Sequence, residues 1–349
     1  MSEVIVERVG RLVRLRLNRP EAINALTHTM VREIDAALDR YSCDPDVAAF
    51  LLTGEGDRGL CAGGDIRSLY EAPRDVTGPS MAFWRDEYRL DARINRMMKP
   101  FVSWMDGLVM GGGIGVSAHA ALRIVTERSK IAMPECGIGF VPDVGATWLL
   151  PRAPGELGTW MGLTGRILGA ADAILVGFAD LHCTADQLDQ VIAMLADLPV
   201  TTTKRDLRAR LGAIAKDPGP APLADQQAMI DRVFTGDRVQ DILLRLSREP
   251  GDFAAKSLRD IQAKSPTSLK LALALMRRGR SVATLEQALE LEFAACRALV
   301  IGPDFYEGIR AQIIDKDRNP KWAPSDLDQV SDSWVENALK VTSDRVFPA

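Results

Sequence analysis

Trp104-Met105-Asp106-Gly107-Leu108-Val109-Met110-Gly111-Gly112-Gly113-Ile114-Gly115 is the stretch on which the fold turns. The apolar run from Phe101 to Met105 reads as a buried strand, and the glycines after it lead into a helix over residues 116–121. Consecutive glycines lack Cβ atoms, so they reach unusual φ/ψ values and leave peptide N–H groups bare at a helix start, where the helix dipole favours negative charge. Such a turn either holds an anion or packs tightly against a neighbour, and the glycines alone leave both readings open.

Upstream the same unit recurs. Residues 48–53 form a second buried-type strand that empties into Gly54-Glu55-Gly56-Asp57-Arg58-Gly59-Leu60-Cys61-Ala62-Gly63-Gly64-Asp65-Ile66. Two strand ends with exposed amides can aim two donors at one point. Before them, residues 4–9 and 12–17 flank Gly10-Arg11 as a hairpin. In it Val13, Leu15 and Leu17 alternate with Arg14 and Arg16, leaving one wet face. A helix begins near Thr27, and another spans residues 80–98 with Glu87 among its polar positions until Pro100 stops it. Downstream, residues 122–126 and 130–132 read as short strands. The loop over residues 133–145 is rich in turn residues yet apolar, which predicts that it is packed inside. A carboxylate there is desolvated, which raises its pKa and suits acid or base duty near neutrality. From Glu156 onward the pattern is helical, interrupted by the Pro-rich connector Ala215-Lys216-Asp217-Pro218-Gly219-Pro220-Ala221-Pro222. The predicted organisation is an α/β core over residues 1–200 and a helical region over 201–349.

Composition narrows the function. The chain has 349 residues, 47% of them hydrophobic, and a net charge of −4, so no diffuse positive field draws it to nucleic acid or to a membrane surface. Five scattered cysteines without a CxxC pair fit reduced thiols, and Cys61 reads as a small buried hydrophobe rather than a nucleophile. The three histidines, His28, His119 and His182, have no metal-ligand spacing, so no metal is expected. The N-terminus lacks the pattern of a signal or organelle presequence, no stretch is long enough to span a bilayer, and the end Val346-Phe347-Pro348-Ala349 is no peroxisomal address. These features predict a cytoplasmic protein.

Arg19-Pro20-Glu21-Ala22-Ile23-Asn24-Ala25-Leu26, Cys61-Ala62-Gly63-Gly64-Asp65-Ile66, Met110-Gly111-Gly112-Gly113, Met133-Pro134-Glu135 and Pro142-Asp143 together resemble the crotonase (enoyl-CoA hydratase/isomerase) superfamily. Ser265-Pro266-Thr267-Ser268-Leu269-Lys270 and Asp304-Phe305-Tyr306-Glu307-Gly308-Ile309-Arg310-Ala311 extend the resemblance, which is nearest to the branch of 3-hydroxyisobutyryl-CoA hydrolases. It implies a crotonase/ClpP-like spiral of ββα units with an all-helical C-terminal region, a homo-oligomer (trimer or hexamer), and an acyl-CoA substrate with no separate cofactor, since coenzyme A is part of the substrate. It further implies an oxyanion hole from the Gly64 and Gly112 amides, and Ala62, Asp65 and Ile66 along the CoA path. Lys316 would lie near the CoA phosphates, Glu135 and Asp143 would do the chemistry, and Glu87 would take a substrate hydroxyl.

Gly115 departs from the hydratase pattern: it stands where hydratases of the family carry one of two catalytic glutamates, and a glycine cannot titrate. Hydration needs a base for water and an acid for the α-carbon, so the expectation is thioester hydrolysis, with an enoyl-CoA hydratase or isomerase as the alternative. A non-catalytic acyl-CoA-binding or RNA-associated scaffold is the third reading, which the acidic balance disfavours. Each acid also has a structural reading: Glu135 as a solvated loop acid, Asp143 as the N-cap of a helix starting at Val144, Glu87 as one charge on a solvated helix face. A dinucleotide or nucleotide loop is disfavoured because residues 111–115 fit neither GxGxxG nor GxxxxGK[ST].

Overall fold

The computed structural model describes residues 2–348. The chain forms two compact units that interleave along the sequence: Met1–Asp65, Asp86–Ile131 and Ile167–Pro222 make the first, and Ile66–Arg85, Ala132–Arg166 and Leu223–Ala349 the second. Neither coincides with 1–200 or 201–349, although the Pro-rich connector does end where the first unit ends, at Pro222.

The first unit is built on a sheet. β1 (Val4–Val9) and β2 (Leu12–Leu17) form the expected hairpin, with Val4 opposite Leu17 and Val9 opposite Leu12. β3 (Ala49–Gly54) and β4 (Phe101–Met105) extend it in parallel, and β5 (Leu108–Met110) leaves it to pair elsewhere. β6 (Leu122–Val125) returns, β7 (Lys130–Ala132) pairs with β5, and β8 (Leu181–His182) closes the order β1-β2-β3-β4-β6-β8. β4 is buried at every residue, as a parallel strand covered on both faces must be. One face packs Leu51, Val102, Trp104 and Ile124 against Val191 and Leu195 of the helix Leu188–Ala196 and Leu207 and Leu211 of the helix Lys204–Gly212.

The sequence reading marks no strand at Leu108–Met110 or Leu181–His182 and no separate helix at Lys204–Gly212, and it starts the helix after the central glycines too late. β8 has two residues, too few to leave a periodicity. The helix Lys204–Gly212 buries only Leu207 and Leu211 among many charges, so its apolar stripe is too thin to stand out. The helix after β5 runs over Gly112–Ala118 rather than 116–121, and all seven of its residues are buried. Packing there overrides the poor helix propensity of glycine. A Cβ at Gly113 would meet the Cys61 carbonyl oxygen at 2.6 Å, so the close approach itself demands glycine.

The second unit is helical. Trp84 stacks on Phe140 at 5.2 Å between ring centroids, and Phe305 tilts against both, at 5.9 and 5.3 Å. The helix Leu285–Val300 buries Leu285, Leu289, Glu292, Phe293 and Cys296, and the helix Pro266–Gly279 lies beside the short helix Ala146–Leu149. Early and late segments are locked at bare backbone. A Cβ on Gly308 would strike the Ile138 main chain, and one on Gly139 the main chain at Asp304. Among the described residues no helix is long and apolar enough to cross a membrane.

Candidate active site

The first unit carries a glycine-walled cradle. Gly112 is the first residue of its helix, so its own amide has no intrahelical acceptor by construction. A Cβ built on Gly112 would lie 3.3 Å from the Gly64 nitrogen and 3.2 Å from Leu26 Cδ1, and would collide with Glu87 Oε1. Gly64, Gly112 and Glu87 are therefore neighbours, and only a hydrogen at position 112 leaves the space between them open. Backbone pairing holds Gly64 there: Leu26 and Gly64 form an isolated parallel bridge, with the Leu26 amide donating to Gly63 at 2.8 Å and the Asp65 amide to Leu26 at 2.8 Å. Glu87 is 2% exposed, which removes the reading of an ordinary solvated helix charge. Cys61 is fully buried, and burial pushes its thiol up to about 12, so it is no nucleophile at neutral pH.

The second unit carries the acids. Glu135 opens a single 3-10 turn, Glu135–Ile138, after Pro134. Its carbonyl accepts the Phe140 amide at 3.0 Å, so the Trp84–Phe140–Phe305 stack adjoins the turn. The side chain is 6% exposed and its Oε2 has no hydrogen-bond partner, which removes the solvated-loop reading. Burial raises the Glu135 carboxyl well above the ordinary range and the negative charge of Asp143 raises it further, while Lys264 pulls the other way. Asp143 is 4% exposed. It is not an N-cap: the next helix begins at Ala146, Gly145 occupies the cap position, and Val144 and Gly145 turn through φ of 52° and 87° before it.

The remaining candidates are placed as follows. Ala62 and Ile66 are half-buried, and Ile66 starts the helix Ile66–Glu71. The Asp65 carboxylate is engaged by Arg19 at 3.1 Å, so its charge belongs to an internal ion pair. Lys316 is exposed, at φ 58°, between Asp315 and Asp317, which both pair with Arg310 at 2.7 Å. Two residues escaped the sequence reading. Lys264 lies over the glycine after Cys136, where a Cβ on Gly137 would meet its Nζ at 3.1 Å. Glu292 is wholly buried and accepts the amides of Gly145 at 2.8 Å and Thr147 at 2.6 Å. A signal for Glu292 existed: it falls seven residues after Leu285 and three after Leu289, on the buried stripe of its helix.

The chain belongs to the enoyl-CoA hydratase/isomerase family, whose model matches residues 12–339. Among its relatives, the mitochondrial 3-hydroxyisobutyryl-CoA hydrolase of Danio rerio is 37% identical over 99% of this chain and 91% of the relative. Among solved structures, a carnitinyl-CoA dehydratase from Mycobacterium thermoresistibile is 42% identical with a TM-score of 0.92, covering 99% of each chain. An enoyl-CoA hydratase from Rhodobacter sphaeroides is 43% identical with a TM-score of 0.86, covering 97% of each. The expectation of a cytoplasmic protein is overturned by relatives that are mitochondrial. Reduced cysteines and a mild negative charge, two of the features behind that expectation beside the pattern of the N-terminus, do not separate one reducing compartment from another.

Proposed function

We propose that this chain hydrolyses a β-hydroxyacyl-CoA thioester, 3-hydroxyisobutyryl-CoA above all, to 3-hydroxyisobutyrate and CoA, as valine breakdown requires. The curated relatives carry that activity in their name at 34–37% identity over nearly their full length. The observation that carries the reading is the acid inventory. Glu135 is buried with a free oxygen beside Asp143, whereas the position where hydratases place a second glutamate is Gly115, buried in its helix. One reactive acid and its companion suit hydrolysis better than concerted addition of water to a double bond.

In this reading the thioester oxygen takes hydrogen bonds from the Gly64 and Gly112 amides, each lowering the barrier by about 3 kcal/mol as charge develops on that oxygen. Glu135 attacks the carbonyl carbon to give an acyl anhydride that water opens, or deprotonates the water that attacks. The carbon–sulfur bond breaks, and Asp143 as a carboxylate orients the water or, when it holds the one proton the acid pair shares, hands that proton to the departing thiolate. Glu87 takes the 3-hydroxyl. Ala62, Ile66 and the Asp65 backbone line the CoA path, and Lys316 meets its phosphates. No metal or separate cofactor is called for, and the family resemblance supports assembly as a trimer or hexamer.

The test is release of free thiol from 3-hydroxyisobutyryl-CoA, with Glu135→Gln as control. Glu135→Gln is expected to lose about 10²-fold or more in kcat. Gly112→Ala is expected to lose a similar factor, because its Cβ crowds the Gly64 amide and collides with Glu87. Loss of enoyl absorbance from a crotonyl-type ester, without thiol release, would instead assign the chain to the hydratases, the activity named for its solved neighbour from Rhodobacter sphaeroides.

A further inference from the structure

Glu292 has no part in the chemistry set out above, yet both of its oxygens are spent on backbone: Oε2 accepts the Gly145 amide and Oε1 the Thr147 amide. Those amides lie two and four residues after Asp143, and the Asp143 carbonyl accepts the Ala146 amide at 2.8 Å, closing the turn between them. Between them the chain passes through the left-handed region at Val144, a β-branched residue that disfavours it. A turn of that kind persists only when its surroundings hold it, and here the holder is a side chain on the long helix Leu285–Val300. The charge of Asp143 is felt by Glu292 and by Glu135 alike, so a single turn sets the relation of three buried carboxyls, with Lys264 as the cation acting on Glu135.

We infer that Glu292 is the positioning residue for Asp143: by clamping the Gly145 and Thr147 amides it fixes the turn that presents Asp143 beside Glu135. The inference rests on the hydrolase reading for its kinetic consequence and on geometry alone for the clamp. Alanine at 292 removes both acceptors. Glutamine keeps one and turns an NH2 donor toward the other amide, and aspartate keeps the carboxylate one methylene short.

The experiment measures kcat and KM for thiol release in wild type, Glu292→Ala, Glu292→Asp, Asp143→Asn and the Glu292→Ala/Asp143→Asn double variant, with hydrogen exchange over residues 143–149. Glu292→Ala is expected to lower kcat by about 10²-fold with KM changed less than about twofold, to speed exchange in that segment, and to cost nothing further on top of Asp143→Asn. Glu292→Asp should recover part of the loss. Losses that multiply in the double variant, or a risen KM with kcat intact, would overturn the inference. If Glu292→Ala does not fold, Glu292→Asp and Glu292→Gln carry the same cycle. A wild type that releases no thiol would defeat the hydrolase reading and leave the clamp to be judged by exchange, where unchanged protection at residues 143–149 would overturn it.

Discussion

Glu135 must be ionised to attack a carbonyl or to take a proton from water, and its surroundings oppose ionisation. Burial is the larger cause and the neighbouring Asp143 charge the second, so the rising limb of kcat/KM against pH should lie above the ordinary carboxylate range. Asp143→Asn removes the second cause and leaves the first. The limb of the residual activity is therefore expected to move to lower pH without reaching the range of a solvated glutamate, and a limb that stays in place would show that Asp143 exerts no charge on Glu135. At this scale much was legible beforehand. An apolar loop rich in turn residues pointed to a desolvated acid, and Glu135 and Asp143 are both buried. The Asp65 ion pair was not legible, because nothing in Gly63-Gly64-Asp65 shows that Arg19, 46 positions away, comes to meet it.

Elements read well where their burial is one-sided or complete. The hairpin β1–β2 and the strand β4 have the predicted bounds, since alternation and an unbroken apolar run are strong local signals. The glycine-rich helix Gly112–Ala118 begins four residues early, because its stability comes from contacts such as Gly113 on Cys61 that no local pattern encodes. The helix Leu285–Val300 is different again: its stripe was visible, but an acid on that stripe reads as a solvated exception until its partners are known. Burial first, and Asp143 second, push the Glu292 carboxyl up to about 8 from the usual 4.5. The folded state thus binds this proton more tightly than the unfolded chain. Its contribution to stability is fully present below about pH 4.5 and is lost as pH rises through about 8. Denaturant midpoints are expected to fall between about pH 4.5 and about pH 8 and to level off above it, and Glu292→Gln, which cannot ionise, is expected to flatten that fall. An identical slope in the variant would place the titration on another group.

On the scale of the whole molecule, the chain's division follows contacts rather than sequence order. A change of pattern from mixed α/β to helical suggests a cut near residue 200, but the second unit draws Ile66–Arg85 and Ala132–Arg166 into its body from the first half of the chain. The reasons are visible in what the late helices need. Glu292 requires the Gly145 and Thr147 amides, and Gly308 and Gly139 seat bare backbone on Ile138 and Asp304. Arg85 and Arg297 share Asp344, and Glu156 is held by Arg277 at 3.0 Å and Arg280 at 2.6 Å. A fragment of residues 201–349 would keep Glu292 and lose both of its donors. It would keep Arg277 and lose Glu156, and a buried charge stripped of its partner costs roughly 3 kcal/mol or more. That is a large share of the 5–15 kcal/mol by which domains of ordinary size are stable. The fragment is therefore expected to show no cooperative melting transition by circular dichroism and to aggregate. The full chain with its backbone nicked near Pro222, where the first unit ends, should keep its two bodies intact. A fragment 201–349 that melts cooperatively would mean that the late helices form a core of their own, and that the borrowed segments only decorate it.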